Sequence, residues 1–133
     1  MEEVKKQGME SLFVPYEIAT ALKELGFDEE CLYSFEYGNG GLECKLNPQL
    51  KTISTCDIGE IVAPLYQQAF RWFRDNHNLD SWIYCPNESK GYFAVILKHK
   101  RFVSYNEQFD TYEKAELACL NKLIEIVKNE NKS

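Results

Sequence analysis

Histidine, proline and closely spaced cysteine are scarce in this chain of 133 residues, which holds two His, four Pro and five Cys. With only His77 and His99, far apart, no set of imidazole, thiol and carboxylate ligands recurs at the short spacing of a metal site, and no cofactor is expected. The cysteines, at 31, 44, 56, 85 and 119, cannot all pair and contain no CxxC. Neither a disulfide framework nor a zinc knuckle follows, and free thiols in a reducing cytoplasm are the expectation. Long apolar runs are absent, including from the opening MEEVKKQGMESLFVPYE. The sequence therefore predicts no signal peptide, no transmembrane helix and no membrane partner. Positive charge is in deficit, 15 basic against 21 acidic residues, for a net charge of −6. Long-range repulsion then opposes phosphate-backbone binding, so no nucleic-acid partner is expected. The densest basic run, Lys98, Lys100 and Arg101 around His99, would alternate faces on a strand.

What is plentiful is apolar area. Hydrophobic residues make up 44% and aromatics 14%, enough to offset chain entropy in one domain spanning 1–133, with 1–8 and 129–133 frayed. A helix is predicted from Pro15 to Gly26, because proline suits a first turn and glycine a C-terminal stop. Phe27 should fold back onto the stripe of Ile18, Leu22 and Leu25. Cys31–Tyr37 and Leu42–Leu46 read as a hairpin around Gly38–Gly41, with Tyr33, Phe35 and Tyr37 on one face and Glu36, Glu43 and Lys45 on the wet side. No Lys-Ser/Thr and no helix start follow those glycines, so a phosphate-cradling loop fails on context. Asn47–Glu60 is expected to be one long irregular stretch.

Pro64 opens a second helix through Asn76, with Tyr66, Ala69, Phe70 and Phe73 inward, Trp72 widening that face, and Arg71 and Arg74 outward. Strands Ser81–Cys85, Tyr92–His99 and Arg101–Tyr105 make an antiparallel meander. The middle strand is apolar on both sides. Phe93, Val95 and Leu97 are expected beneath helices, while Tyr92, Ala94 and Ile96 need separate cover. Asp110–Glu113 matches an Asp-type capping box, with Thr111 an alternative cap, for a last helix buried along Ala115, Cys119, Leu123 and Ile126.

The segments Val14–Glu29, Ala63–Arg74 and Thr111–Glu125 resemble a group of short proteins from bacterial genomes, phages and prophage-like elements, a family with no assigned activity. That resemblance implies a mobile-element setting and transfers no catalytic residue. Residues 61–128 also run helix, three strands, helix, the order of a double-stranded-RNA-binding domain. Such domains start their last helix with lysines that hold phosphates, whereas this one starts with Asp110, Thr111, Glu113, Lys114 and Glu116.

For nucleophilic catalysis, Cys85 and His99 could meet across a strand pair, and Cys56 in the long stretch is the more exposed thiol, but neither forms a recognisable constellation. No catalytic residue is assigned, and the chain is read as a non-enzyme. Core packing is the simplest reading of Tyr33, Phe35 and Tyr37, which could cover the second sheet face; with Tyr92 and Ile96 they are also the candidate interaction surface. The expected class is α+β, with an antiparallel sheet of N-terminal hairpin plus three-stranded meander and helices mainly on one face. The expected function is an accessory or regulatory role through an unidentified protein partner, alone or as a homodimer. The alternative is sequestration of a small ligand, a nucleotide for example, between aromatic residues and Arg71 or Arg74 beneath the Asn47–Glu60 stretch.

Overall fold

The structure, a computed structural model, describes residues 11–38, 41–57, 59–86, 91–105 and 108–132, without the side chains of Tyr37, Pro48, Ile53, Ser104 and Tyr105. The expected frayed segment 1–8 lies outside the described residues. The chain is α+β, with antiparallel pairing throughout its two three-stranded sheets. It divides between Gln68 and Ala69 into two compact units. The predicted hairpin and meander are both formed, each in its own sheet.

In the first unit, helix α1 (Tyr16–Glu24) follows Pro15 and buries Ile18, Ala19 and Leu22. Gly26 closes it at φ 96°, a left-handed conformation that glycine adopts without Cβ strain. The amides of Phe27 and Gly26 reach back to the carbonyls of Leu22 and Lys23, and Phe27 is buried as the stripe requires. Strands β1 (Cys31–Gly38) and β2 (Gly41–Lys51) pair in the register Tyr33↔Leu46 and Phe35↔Cys44. Strand β3 (Glu60–Ala63) adds to the other edge of β1. Asn47–Glu60 is thus less irregular than expected. β2 continues through Lys51, a 3-10 turn occupies Ile53–Thr55, and Glu60 already belongs to β3. Beyond β3, Phe13 bridges Leu65, through bonds from Val14 N to Pro64 O and from Tyr66 N to Leu12 O.

Helix α2 (Tyr66–His77) buries Ala69, Trp72 and Phe73 and stops at Asn78, whose φ of 56° makes a left-handed cap. In the second unit, β4 (Leu79–Tyr84), β5 (Phe93–Lys98) and β6 (Arg101–Tyr105) form the meander in that order. Helix α3 (Tyr112–Lys132) lies against β4 and β5. Thr111, not Asp110, caps it: Lys114 N donates to Thr111 Oγ1 at 3.1 Å, while Asp110 forms an ion pair with the Lys114 ammonium. The helix continues through residues 129–132, which were expected to fray, and Glu130 forms an ion pair with Lys98 of β5.

Candidate functional site

The β4–β5 register decides which side of the meander is covered. Ser81 lies opposite Ile96 and Ile83 opposite Ala94, so these four share a face, while Trp82↔Val95, Tyr84↔Phe93 and Asp80↔Leu97 share the other. Helix α3 takes the first face. Ala94 and Ile96 are 0% exposed, the Lys98–Glu130 ion pair joins β5 to the helix, and Cys119 on the buried side of α3 meets the Ser81 side chain. The expectation for β5 is therefore reversed: Ala94 and Ile96 are beneath the helix, and the side of Phe93, Val95 and Leu97 is the one left without it. Alternation told the two faces apart but could not say which would receive α3, since both are apolar.

On the second face Phe102 stands opposite Leu97. It is 73% exposed, and Trp82 and Tyr84 are each 45% exposed. Trp82, Tyr84, Val95 and Phe102 line an open groove of about 530 Å³. Three large rings in water around an apolar floor are a surface that monomeric proteins seldom leave uncovered without a use. The signal was present in the alternation Trp82-Ile83-Tyr84, but it became readable only with the pairing of Phe102 across β5.

A second cluster sits on one face of the first sheet. Ser34, Asn47 and Glu60 are buried. The Glu60 carboxylate accepts bonds from Ser34 Oγ at 2.8 Å, Asp57 N at 3.0 Å and Lys51 Nζ at 3.0 Å, with Lys45 Nζ at 3.7 Å. Asn47 Nδ2 donates to Ser34 Oγ at 3.3 Å. Burial resists ionisation of Glu60, yet the Asp57 amide, the Ser34 hydroxyl and the Lys51 ammonium outweigh it and hold its pKa down to about 2. Carboxylate oxygens of Glu36, Asp57 and Glu60 lie within 4.8 Å of one another, and Lys45 and Lys51 place their ammonium groups on this cluster. It is a compensated ionic network that ties Asp57, ahead of β3, to β1 and β2.

The candidate interaction residues do not form one surface. Tyr33 and Phe35 are core of the first unit: Tyr33 stacks on Phe13 with centroids 4.4 Å apart, and Phe35 meets the edge of Tyr16. The Tyr37 side chain lies outside the described residues. Ile96 is buried under α3 and offers no surface. Tyr92 is half-buried, bridges Phe109 through its backbone and meets the Tyr112 ring edge-on. Arg71 and Arg74 are exposed on α2, Arg74 beside Asp75 at 3.7 Å, and neither is among the residues lining the groove.

Cys85 and His99 do not meet. Cys85 follows the Tyr84↔Phe93 end of the β4–β5 ladder, and His99 follows the Leu79↔Lys98 end, roughly 23 Å away along the strand at the usual rise per residue. Burial pushes the Cys31 and Cys119 thiols up to about 12, which keeps both protonated. Burial also raises the Cys56 thiol, followed by the charge of Glu60. Among the described residues no helix is long and apolar enough to cross a membrane. No protein-family model, curated protein or solved structure matches the chain.

Proposed function

We propose that the chain is a non-enzymatic accessory or regulatory protein, of the kind carried by phages and mobile elements, that works by protein–protein binding through the open face of β4–β6. The observation that carries this reading is the exposure of Trp82, Tyr84 and Phe102 around one apolar groove. Trp and Tyr give much contact area for little lost side-chain freedom, which is why they dominate binding hot spots. The mobile-element setting rests on the resemblance of Val14–Glu29, Ala63–Arg74 and Thr111–Glu125.

Sequestration of a nucleotide is the weaker reading. The groove has the volume of a small-molecule site, but Trp82, Tyr84, Val95 and Phe102 bring no charge to neutralise a phosphate.

The test is affinity capture from host extract with the wild-type chain, a Trp82→Ser/Phe102→Asp variant and a Lys122→Ala control on the exposed side of α3. A partner held by wild type and control but lost from the face variant, with melting temperatures alike, is the expected result. Equal capture by all three would overturn the reading. A nucleotide at about 100 times its dissociation constant would add roughly 2.7 kcal/mol of stability, so a thermal shift with nucleotides would favour sequestration instead.

A further inference from the structure

We infer that the occupant of the β4–β6 face is a second copy of the same chain, meeting it face to face; this rests on the reading of that face as a binding surface. Three observations favour a self-contact. The first is charge. Among the described side chains at register positions on this face, Asp80, Trp82, Tyr84, Phe93, Val95, Leu97 and Phe102, only Asp80 carries a charge at neutral pH. Two copies that each carry −6 repel over most of their surface, and a nearly uncharged face is where they can approach closely.

The second is shape. Phe102 projects from the last strand of the sheet, whereas Val95 on the central strand is 5% exposed and forms the groove floor. One face thus carries both a protruding ring and a recess. A two-fold axis would seat each ring in the other copy's recess, as an isologous contact requires.

The third is area. At the exposures of Trp82, Tyr84 and Phe102, aromatic side chains of the usual size leave roughly 350 Å² of ring surface in water per copy. Adding their half-buried neighbours Phe93 and Leu97 gives at most roughly 1,000 Å² for the pair, the lower bound of a specific interface.

Sedimentation equilibrium between about 1 and about 200 µM, with iodide quenching of tryptophan fluorescence at the same concentrations, tests the inference. Trp72 is buried and Trp82 exposed, so iodide reports mainly on Trp82, and a Trp82→Phe variant supplies the Trp72 baseline. The mass should rise from 15.5 kDa toward twice that value while Trp82 becomes protected. Phe102→Asp should remain a monomer with Trp82 quenched throughout, and at the lowest concentration, where wild type is also monomeric, its melting temperature should be unchanged. A wild-type mass fixed at one chain, or association undiminished by Phe102→Asp, overturns the inference. If a captured protein then protects Trp82 of the monomer, the face is still a binding surface and only the identity of its occupant fails. If neither a second copy nor a captured protein protects Trp82, the binding reading fails as well.

Discussion

Trp82 lies directly across the β4–β5 ladder from Val95, so the exposed indole and the nearly buried floor of the groove project from the same side of the sheet. One step along each strand, Ser81 and Ile96 point the other way, into the side held by α3. This single register position divides core from open surface.

The ionic network around Glu60 makes stability fall in acid. Its folded pKa, about 2, lies below the ordinary 4.5, so the ionised group stabilises the fold above the ordinary value, and that contribution is lost as pH falls from about 4.5 to about 2. Allowing for solvent screening at the partly exposed lysines, the contribution is roughly 1–2 kcal/mol. Urea unfolding of Glu60→Gln should show this loss at pH 7 and a flatter dependence between pH 4.5 and pH 2. A variant as stable as wild type at pH 7 would show that the network contributes nothing.

Glu116 works in the opposite direction. It is buried on α3, and burial, followed by the charge of Glu113, raises its pKa. A group with a raised folded pKa gives its full stability below the unfolded value and loses it as pH rises through the folded one. Glu116→Gln should therefore unfold at higher urea than wild type at pH 8. The two proteins should converge near pH 4. Destabilisation at pH 8 would mean that the carboxylate makes a favourable contact.

The β5–β6 turn holds both of its central residues in the left-handed region, His99 at φ 51° and Lys100 at φ 66°. Two-residue hairpins of this geometry favour Asn-Gly, because side chains with a Cβ are strained there. Replacing the pair by His99→Asn and Lys100→Gly should raise stability by about 1 kcal/mol, read from the urea midpoint at constant slope. A lowered midpoint would show that the His99 or Lys100 side chain makes contacts worth more than the relief of strain.

Much of the fold was legible in the sequence because its signals are local. The Gly26 stop with Phe27 behind it, the hairpin register around Gly38–Gly41 and the strand Arg101–Tyr105 each depend on neighbouring residues. What stayed hidden depends on long-range pairing. Ser34 and Glu60, 26 residues apart, meet because β3 joins β1, and no periodicity within 47–60 announces a strand so short. The open face was missed for the same reason. β5 is apolar on both sides, and only the docking of α3 distinguishes Ile96 from Val95. Tyr33 and Phe35 could be read either as core or as surface because the chain that covers them, Phe13 and Tyr16, comes from before the hairpin.

The central claim, that α3 covers the Ile96 side and leaves the Trp82–Phe102 side open, is tested most directly by urea unfolding of Ile96→Ala beside Phe102→Ala, each at a concentration low enough to keep the chain monomeric. Loss of a fully buried isoleucine typically removes about 2–5 kcal/mol, whereas a ring that is 73% exposed should change stability by about 0.5 kcal/mol or less. A large loss for Ile96→Ala with a small change for Phe102→Ala is the expected result. Equal losses, or a greater loss for Phe102→Ala, would contradict the assignment of the two faces.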